Sequence, residues 1–231
     1  MENDLAISEI FYSLQGEGTH SGLPTVFIRL QGCNLKCSWC DTAFAQNIID
    51  FEQFEDLSNG GSFPCKIRIS DLLDRIKKYK TNLVCITGGE PLLQESVYLL
   101  ITELCNAKYT VLIETNGSLP INKIDERAIK IVDFKCPSSS MTNYNDYKNI
   151  GYLTKKDEMK FVIENRADYL WAKDLINTYN LEKKVFAILF SPVFSKIDLK
   201  ELAAWILQDG LPVRLQIQLH KIIWGENERG V

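Results

Sequence analysis

The chain has 231 residues, 45% of them apolar, which is enough for one hydrophobic core in a single domain over residues 1–231. Its net charge of −4 and pI of about 5.4 deny it the basic surface that favours a nucleic-acid partner. No stretch reaches the roughly 18 apolar residues of a membrane span. No secretory signal is visible either, so we expect a cytoplasmic protein without a membrane partner.

Strand-like apolar runs alternate with helical patterns through most of the chain. The predicted strands are Leu5–Tyr12, Thr25–Leu30, Leu83–Thr87, Thr110–Glu114, Ile131–Cys136, Met159–Ile163, Val185–Leu189 and Val213–Gln218. The predicted helices are Ser70–Lys80, Leu92–Asn106, Arg166–Tyr179 and Asp198–Leu207. This alternation predicts an α/β fold with mainly parallel strands, and the length suits a partial (β/α) barrel better than a complete one of about 250 residues.

Local signals support two of the helix starts and one irregular region. Ser70 precedes an acidic first turn and is predicted to be an N-cap, while Pro91 occupies a typical first helical position. Residues 47–63 are the least regular stretch and include Asn59-Gly60-Gly61. We interpret residues 47–63 as a surface insertion or lid, and an ordinary tolerated loop is an equally good interpretation.

The loops after the C-terminal ends of parallel strands carry the functional site in folds of this class. In this sequence those loops are Thr87–Glu90, Glu114–Gly117, Lys135–Ser138 and the segment that follows Gln218. We therefore expect polar and charged side chains from these four regions to lie around one site.

Three of the seven cysteines are clustered, because Cys33, Cys37 and Cys40 form the pattern C-x3-C-x2-C. In a reducing cytosol clustered thiols are ligands or catalysts rather than disulfide partners. Three thiolates on one loop can ligate three irons of a [4Fe–4S] cluster and leave the fourth iron open to a substrate molecule. A zinc site would need a fourth protein ligand, and no other Cys or His lies close in sequence. The pattern favours the open cluster over zinc or a chance group of core cysteines.

The cysteine pattern with Trp39 before the third cysteine resembles the radical S-adenosylmethionine superfamily. Gly88-Gly89-Glu90-Pro91, which follows a predicted strand, is similar to the GGEP motif of that superfamily. The resemblance implies that S-adenosylmethionine is bound by Trp39, Cys40, Asp41, Gly89, Glu90, Lys135 and Ser138. Trp39 could equally pack the loop, and both roles are compatible.

A more specific resemblance, to the 7-carboxy-7-deazaguanine synthase family, extends over nearly the whole chain. It is carried by Glu9–Gly18, Phe27–Leu35, Cys40–Thr42, Glu114–Gly117, Asp133–Ser139 and Gln218–Lys221. It implies that a radical made from S-adenosylmethionine takes a hydrogen from C6 of 6-carboxy-5,6,7,8-tetrahydropterin. The ring then contracts, ammonia is lost, and 7-carboxy-7-deazaguanine forms on the way to queuosine and related deazapurines.

The same resemblance assigns further site residues. It implies substrate contacts from Leu14, Gln15, Gly16, Arg29, Thr87, Glu114, Gln218 and His220. Thr42 would give its hydroxyl to Mg²⁺, which prefers oxygen ligands, although by itself this threonine also suits a turn or cap. Arg29 would meet a substrate carboxylate, and its spacing equally allows a rim salt bridge. The Val231 carboxylate would approach the substrate.

The resemblance also implies a homodimer and a reductant such as flavodoxin or ferredoxin. One alternative is an activase of glycyl-radical enzymes, which has the same cysteine spacing but acts on a partner protein. Leu14–Gly18 and Gln218–Lys221 argue against it, because an activase needs no pterin pocket. Another alternative is a non-catalytic iron–sulfur or zinc module, in which Gly88–Pro91 would have no purpose.

Overall fold

A computed structural model describes residues 3–47, 63–226 and 228–231. Its strands are β1 Asp4–Leu14, β2 Pro24–Leu30, β3 Cys65–Arg68, β4 Leu83–Gly88, β5 Thr110–Thr115, β6 Ile129–Phe134, β7 Glu158–Ile163, β8 Ala187–Pro192 and β9 Arg214–Leu215. Its α-helices are α1 Ile69–Ile76, α2 Ser96–Asn106, α3 Arg166–Tyr179, α4 Leu199–Asp209 and α5 Leu219–Ile223. None of the helices is long and apolar enough to cross a membrane, within the part of the chain that is described.

The described strands form one sheet in the order β3-β1-β2-β4-β5-β6-β7-β8-β9. All neighbours from β2 to β9 are parallel, whereas β1 is antiparallel to both β2 and β3. The order has two ends, since β3 and β9 are not paired with each other. The predicted α/β partial barrel with mainly parallel strands is therefore confirmed.

The central strand β4 is buried on both faces, which explains its continuous apolar run. Val84 and Ile86 belong to the large core, which includes the buried sides of the helices. Leu83 and Cys85 point the other way, because side chains alternate along a strand. A second small core forms there from Phe27, Leu83, Cys85, Leu112 and Ile131. It supports the inner face of the sheet.

The predicted N-cap at Ser70 is wrong. Helix α1 already begins at Ile69 with Arg68 in the N-cap position, and the Ser70 hydroxyl donates to Asp71 Oδ1 at 3.1 Å. The helix ends at Ile76 rather than at Lys80. Strand β3 leads directly into α1 and pairs with β1, so tertiary pairing sets the start of the helix.

The predicted helix over Leu92–Asn106 starts late, at Ser96. Pro91 begins a short 3-10 turn that ends at Leu93, and Gln94 is extended with φ −99° and ψ 109°. The Gln94 side chain receives the Ala6 N–H at 2.9 Å and donates to the Gln31 carbonyl at 2.8 Å. These long-range hydrogen bonds fix Gln94 in its extended conformation, which separates the 3-10 turn from helix α2.

The predicted strand Val213–Gln218 shrinks to the two residues Arg214–Leu215. Gln216 and Gln218, which follow β9, use their side chains to hold another loop instead. The interpretation of 47–63 as an insertion concerns residues that lie, from 48 to 62, outside the described residues.

Candidate active site

A cavity of about 500 Å³ lies where the parallel strands end. It is lined by the ends of β4 to β8, by the cysteine loop, by the turn after β1 and by the C-terminal segment. The predicted site residues that line it are Leu14, Gln15, Gly16, Arg29, Cys33, Cys37, Trp39, Cys40, Asp41, Thr42, Thr87, Gly89, Glu114, Lys135, Gln218 and His220. Val231 also lines it, whereas Glu90 and Ser138 do not.

Backbone hydrogen bonds hold the cysteine loop against the sheet. The Gly32 N–H donates to Ala45 at 2.7 Å, and the Glu90 N–H donates to the Gly32 carbonyl at 2.7 Å. On the other side, the Ser38 hydroxyl donates to the Ser138 carbonyl at 2.8 Å. Ser138 therefore supports the loop from outside the cavity, and its role toward a cofactor stays a prediction.

The three thiols of the loop suit an iron–sulfur cluster. Cys33, Cys37 and Cys40 are half-buried on one cavity, while the other four cysteines are buried elsewhere. In the described chain, no three His, Cys, Asp or Glu side chains form a group that could hold a single metal ion. A cluster instead spreads three thiolates over three irons. Burial raises the pKa of Cys33 and Cys37, so iron binding has to displace protons from them.

The glycines after β4 let two backbones approach each other. A Cβ on Gly88, whose φ is +142°, would lie 2.2 Å from the Leu30 carbonyl oxygen. A Cβ on Gly89 would lie 2.1 Å from the Gly32 carbonyl oxygen and 2.8 Å from the Cys33 Cβ. No side chain fits at either position, so the β4 turn packs directly against the cysteine loop.

Glu90 is fully buried behind this turn. Its carboxylate accepts the Leu92 N–H at 3.0 Å, the Asn116 N–H at 2.6 Å and the Thr115 hydroxyl at 2.8 Å. Burial raises the pKa of Glu90, and these three donors partly oppose that effect. Glu90 therefore ties the end of β4 to the end of β5, and its predicted contact with a cofactor stays untested.

Arg29 combines the two interpretations that the sequence left open. It lines the cavity, and its Nε donates to Glu9 Oε2 at 3.0 Å in a half-buried ion pair. Its Cζ lies 5.8 Å from the Phe11 ring centroid and 5.9 Å from that of Phe44. The ion pair uses only Nε. Neither Nη atom of Arg29 has a hydrogen-bond partner among the described residues. That fork suits a carboxylate.

Thr42 stands at the start of a short 3-10 turn, but its side chain makes no capping hydrogen bond. Its hydroxyl lies 3.7 Å from Cys40 Sγ and lines the cavity. Asp41 beside it accepts from Lys221 Nζ at 3.3 Å. Burial would raise the pKa of Asp41, but Lys221 and Lys160 outweigh it and lower that pKa. Among the described residues, the Thr42 hydroxyl thus has only the Cys40 thiol as a hydrogen-bond partner.

Thr87 and Glu114 meet across the ends of β4 and β5. The Thr87 hydroxyl donates to Glu114 Oε2 at 3.2 Å, and the Cys85 thiol approaches Oε1 at 3.5 Å. Burial raises the pKa of Glu114, with Lys160 opposing the effect. Glu114 can therefore hold a proton at the cavity wall more readily than an exposed glutamate.

Charged residues absent from the predicted site also line the cavity, namely Glu17, Asp133, Lys160, Lys196, Lys221 and Glu226. Lys160 forms a buried ion pair with Glu17, and Lys135 pairs with Asp133 at 3.0 Å. Burial lowers the pKa of both lysines, but the neighbouring carboxylates outweigh it, so both pKa values are raised and both lysines stay charged. In the sequence, Glu158 and Lys160 stand two positions apart in an otherwise apolar strand, which indicates that one face of this strand carries charge.

Two buried polar atoms in the cavity residues have no hydrogen-bond partner in the described structure. They are Gln15 Nε2, a donor, and Asp133 Oδ1, an acceptor. Buried polar atoms are normally paired. Both atoms are also shielded from solvent, so they would meet a ligand in the cavity only after a change of side-chain rotamer.

Comparisons with known proteins agree with this geometry. The profile of the Radical SAM superfamily matches residues 27–206. The 7-carboxy-7-deazaguanine synthase of Chlorobaculum tepidum is 40% identical over 233 residues, which cover 100% of this chain and 99% of that protein. The enzyme of the same name from Koribacter versatilis is 39% identical over 241 residues, with coverages of 98% and 100%. Among solved structures, QueE from Escherichia coli matches with a TM-score of 0.77 at 24% identity, over 94% of this chain and 95% of that one, and this likeness shows the fold.

Proposed function

Because the chain belongs to the radical S-adenosylmethionine superfamily and, within it, to the 7-carboxy-7-deazaguanine synthase family, we propose that it converts 6-carboxy-5,6,7,8-tetrahydropterin to 7-carboxy-7-deazaguanine with loss of ammonia. It is then a carbon–nitrogen lyase of deazapurine and queuosine biosynthesis. One observation carries the proposal: three cysteines of one loop share a cavity with Glu114 and with the Arg29 guanidinium, whose Nη atoms have no hydrogen-bond partner among the described residues. A radical source and a heterocycle can therefore occupy neighbouring positions.

Membership of the superfamily implies a [4Fe–4S] cluster and S-adenosylmethionine. We assign the cluster to Cys33, Cys37 and Cys40, the thiols that line the cavity. When bound, the reduced cluster supplies the electron that opens S-adenosylmethionine to a carbon radical. Gly89 lets the end of β4 pack directly against the cysteine loop, and Trp39 offers an apolar ring.

The remaining lining groups have the chemistry to bind and orient a carboxypterin. Gln15 and Asp133 line the cavity and would turn their amide and carboxylate groups toward the polar edge of the ring. The Nη atoms of Arg29 would receive the carboxylate, while Glu9 holds the guanidinium in place. Glu114, whose pKa is raised by burial, would hold a proton next to the Thr87 hydroxyl.

Mg²⁺ is the second part of the proposal, with Thr42 as its protein ligand. The support is a hydroxyl that lines the cavity without capping the turn it begins. Mg²⁺ keeps several waters and uses few protein oxygens, so one hydroxyl with substrate oxygens is a sufficient set. Thr42→Val should abolish stimulation of turnover by added Mg²⁺, whereas Thr42→Ser should retain it. Equal stimulation of both variants would contradict the assignment.

The decisive experiment is anaerobic reconstitution with iron and sulfide, followed by dithionite, S-adenosylmethionine and the carboxypterin. We expect 5′-deoxyadenosine and 7-carboxy-7-deazaguanine, identified by mass spectrometry. Cleavage of S-adenosylmethionine only after addition of a second protein would favour the activase. A Cys37→Ser variant should lose cluster absorbance and both products, while Cys105→Ser, away from the cavity, should keep them.

The proposal includes three properties of the working enzyme. Its electron donor would be a flavodoxin or ferredoxin, since dithionite only replaces a biological reductant. It would act as a homodimer. It would work in the cytoplasm, where its seven cysteines, all free thiols, would stay reduced.

A further inference from the structure

The turn between β1 and β2, residues 15–22, contacts strands that are not its neighbours in the sheet. Its own strands, β1 and β2, lie at least four positions from β7 in the sheet order, with β4, β5 and β6 between. Even so, the turn makes side-chain contacts with both β7 and the segment after β9. These contacts span the opening of the partial barrel.

Strand β7 holds the turn with two residues on one face, because positions two apart in a strand point the same way. Glu158 accepts the Thr19 N–H at 3.2 Å and also accepts the Thr19 hydroxyl. Lys160 forms its ion pair with Glu17. The Glu158 side chain is fully buried and the Lys160 side chain is only 12% exposed, so each is committed to the turn rather than to solvent.

The segment after β9 repeats the arrangement with two glutamines. Gln216 Oε1 accepts the Gly18 N–H at 2.6 Å, and Gln218 Nε2 donates to Glu17 Oε1 at 2.7 Å. The turn is then in contact with α5, since a Cβ on Gly16 would lie 2.2 Å from His220 Nδ1.

Glu17 stands at the centre of these contacts. One of its carboxylate oxygens faces Lys160 and the other accepts from Gln218, so it joins β7 to the C-terminal segment. We propose that the Lys160–Glu17 ion pair is a clasp that closes the open side of the barrel. Lys160 is thereby a positioning residue, which sets Gln15, Gly16 and His220 around the substrate and takes no part in the chemical steps. This inference rests on the proposed function for its substrate.

The clasp depends on the charge of Lys160. Lys160 lies among Glu17, Asp133 and Glu114, and removing its charge would leave the Glu17 carboxylate without its ion-pair partner. Loss of one member of a buried pair is strongly destabilising because the other charge stays desolvated. The least costly relief is release of the turn and the C-terminal segment into water, which would open the cavity.

The test uses the reconstituted holoenzyme with Lys160→Met, which removes the charged end but keeps the rest of the unbranched side chain, and Lys77→Met as matched control. Lys77 also has an ion pair, with Asp74 at 2.7 Å, but on an exposed helix. We expect amide hydrogen exchange in residues 216–223 to accelerate about tenfold in Lys160→Met while β5 stays protected. KM for the carboxypterin should rise about tenfold in Lys160→Met and stay within about twofold of wild type in Lys77→Met.

Further variants keep the test decisive. Lys160→Arg should restore most of the KM, and Glu17→Gln should reproduce the exchange phenotype with little change in volume. Combining Glu17→Gln with Lys160→Met should add little to either single change. Unchanged exchange in residues 216–223, or a lower kcat at unchanged KM, would overturn the clasp. A wild type that makes no 7-carboxy-7-deazaguanine would instead overturn the proposed function and leave the exchange result standing.

Discussion

Replacing Gly89 with alanine tests whether close backbone approach positions the cysteine loop. The new Cβ would lie 2.1 Å from the Gly32 carbonyl oxygen, and ordinary contacts begin at 3.4 Å, so the two backbones must separate by about 1.3 Å. Overpacking of this kind lowers the free energy of unfolding by about 1–3 kcal/mol. Cys33 follows Gly32 directly, so its thiol would move with the loop. A misplacement of about 1 Å at a reacting centre lowers the rate about 100-fold.

The assay separates stability from catalysis. Urea unfolding followed by circular dichroism gives the free energy of unfolding, and iron content with visible absorbance gives cluster loading. Formation of 5′-deoxyadenosine from S-adenosylmethionine under dithionite then measures the radical step. For Gly89→Ala we expect a folded protein with reduced cluster loading and an about 100-fold slower radical step.

Gly151→Ala is the matched control, because a Cβ at that position meets no atom within 4 Å. It should match wild type in stability, cluster loading and rate. If Gly89→Ala loads a full cluster and cleaves S-adenosylmethionine within about threefold of wild type, the loop does not depend on this contact, and the argument from backbone approach is wrong.

Three further predictions concern buried carboxylates and pH. Glu90→Ala leaves three buried donors without an acceptor and should lower the free energy of unfolding, measured in urea, by about 3 kcal/mol. Glu90→Gln should lower it by less, and an equal loss in both variants would contradict this explanation. Asp157→Ala leaves Lys130 buried without its partner at 3.1 Å and should cost about 3–5 kcal/mol in the same assay, while loss of an exposed ion pair should not be measurable. Burial lowers the pKa of His220 below its ordinary 6.5, so the docked C-terminal segment favours neutral histidine. Docking of the C-terminal segment is therefore complete above about pH 6.5 and weakens as the pH falls below that value. Hydrogen exchange should detect this loss of docking, and His220→Gln should abolish its dependence on pH.

Much of the sheet could be predicted because its signals are local. The apolar run of β4 reflects burial on both faces, and α3 begins at Arg166 as predicted, with Asn165 capping it through Ala167 and Asp168. The break at Gln94 could not be predicted, because its partners Ala6 and Gln31 lie 88 and 63 residues away. No property of the local sequence announces hydrogen bonds at that range.

The candidate site also contains residues that local sequence predicts and residues whose role depends on distant partners. The cysteine spacing is contained in one loop, so it was recognisable from sequence alone. Lys160 was not, because its meaning depends on Glu17, which lies 143 residues away. Asp133 was hidden inside a predicted strand, where a single acidic residue gives no sign of the face to which it points.

The pairing of charges around the cavity has a consequence for how ligands arrive. Arg29, Lys135, Lys160 and Lys221 each have their own carboxylate within the protein. Matched pairs produce little field beyond a few ångströms, and the charge of Lys196, a lining lysine without an ion pair among the described residues, is offset by that of Glu226 in the same lining. This wall therefore does not steer an anion from a distance. Capture of a carboxylate-bearing ligand is then nearly independent of ionic strength, since there is little long-range attraction for salt to screen. Selectivity arises at contact, from the fit of the ring and its hydrogen bonds, rather than from attraction in solution.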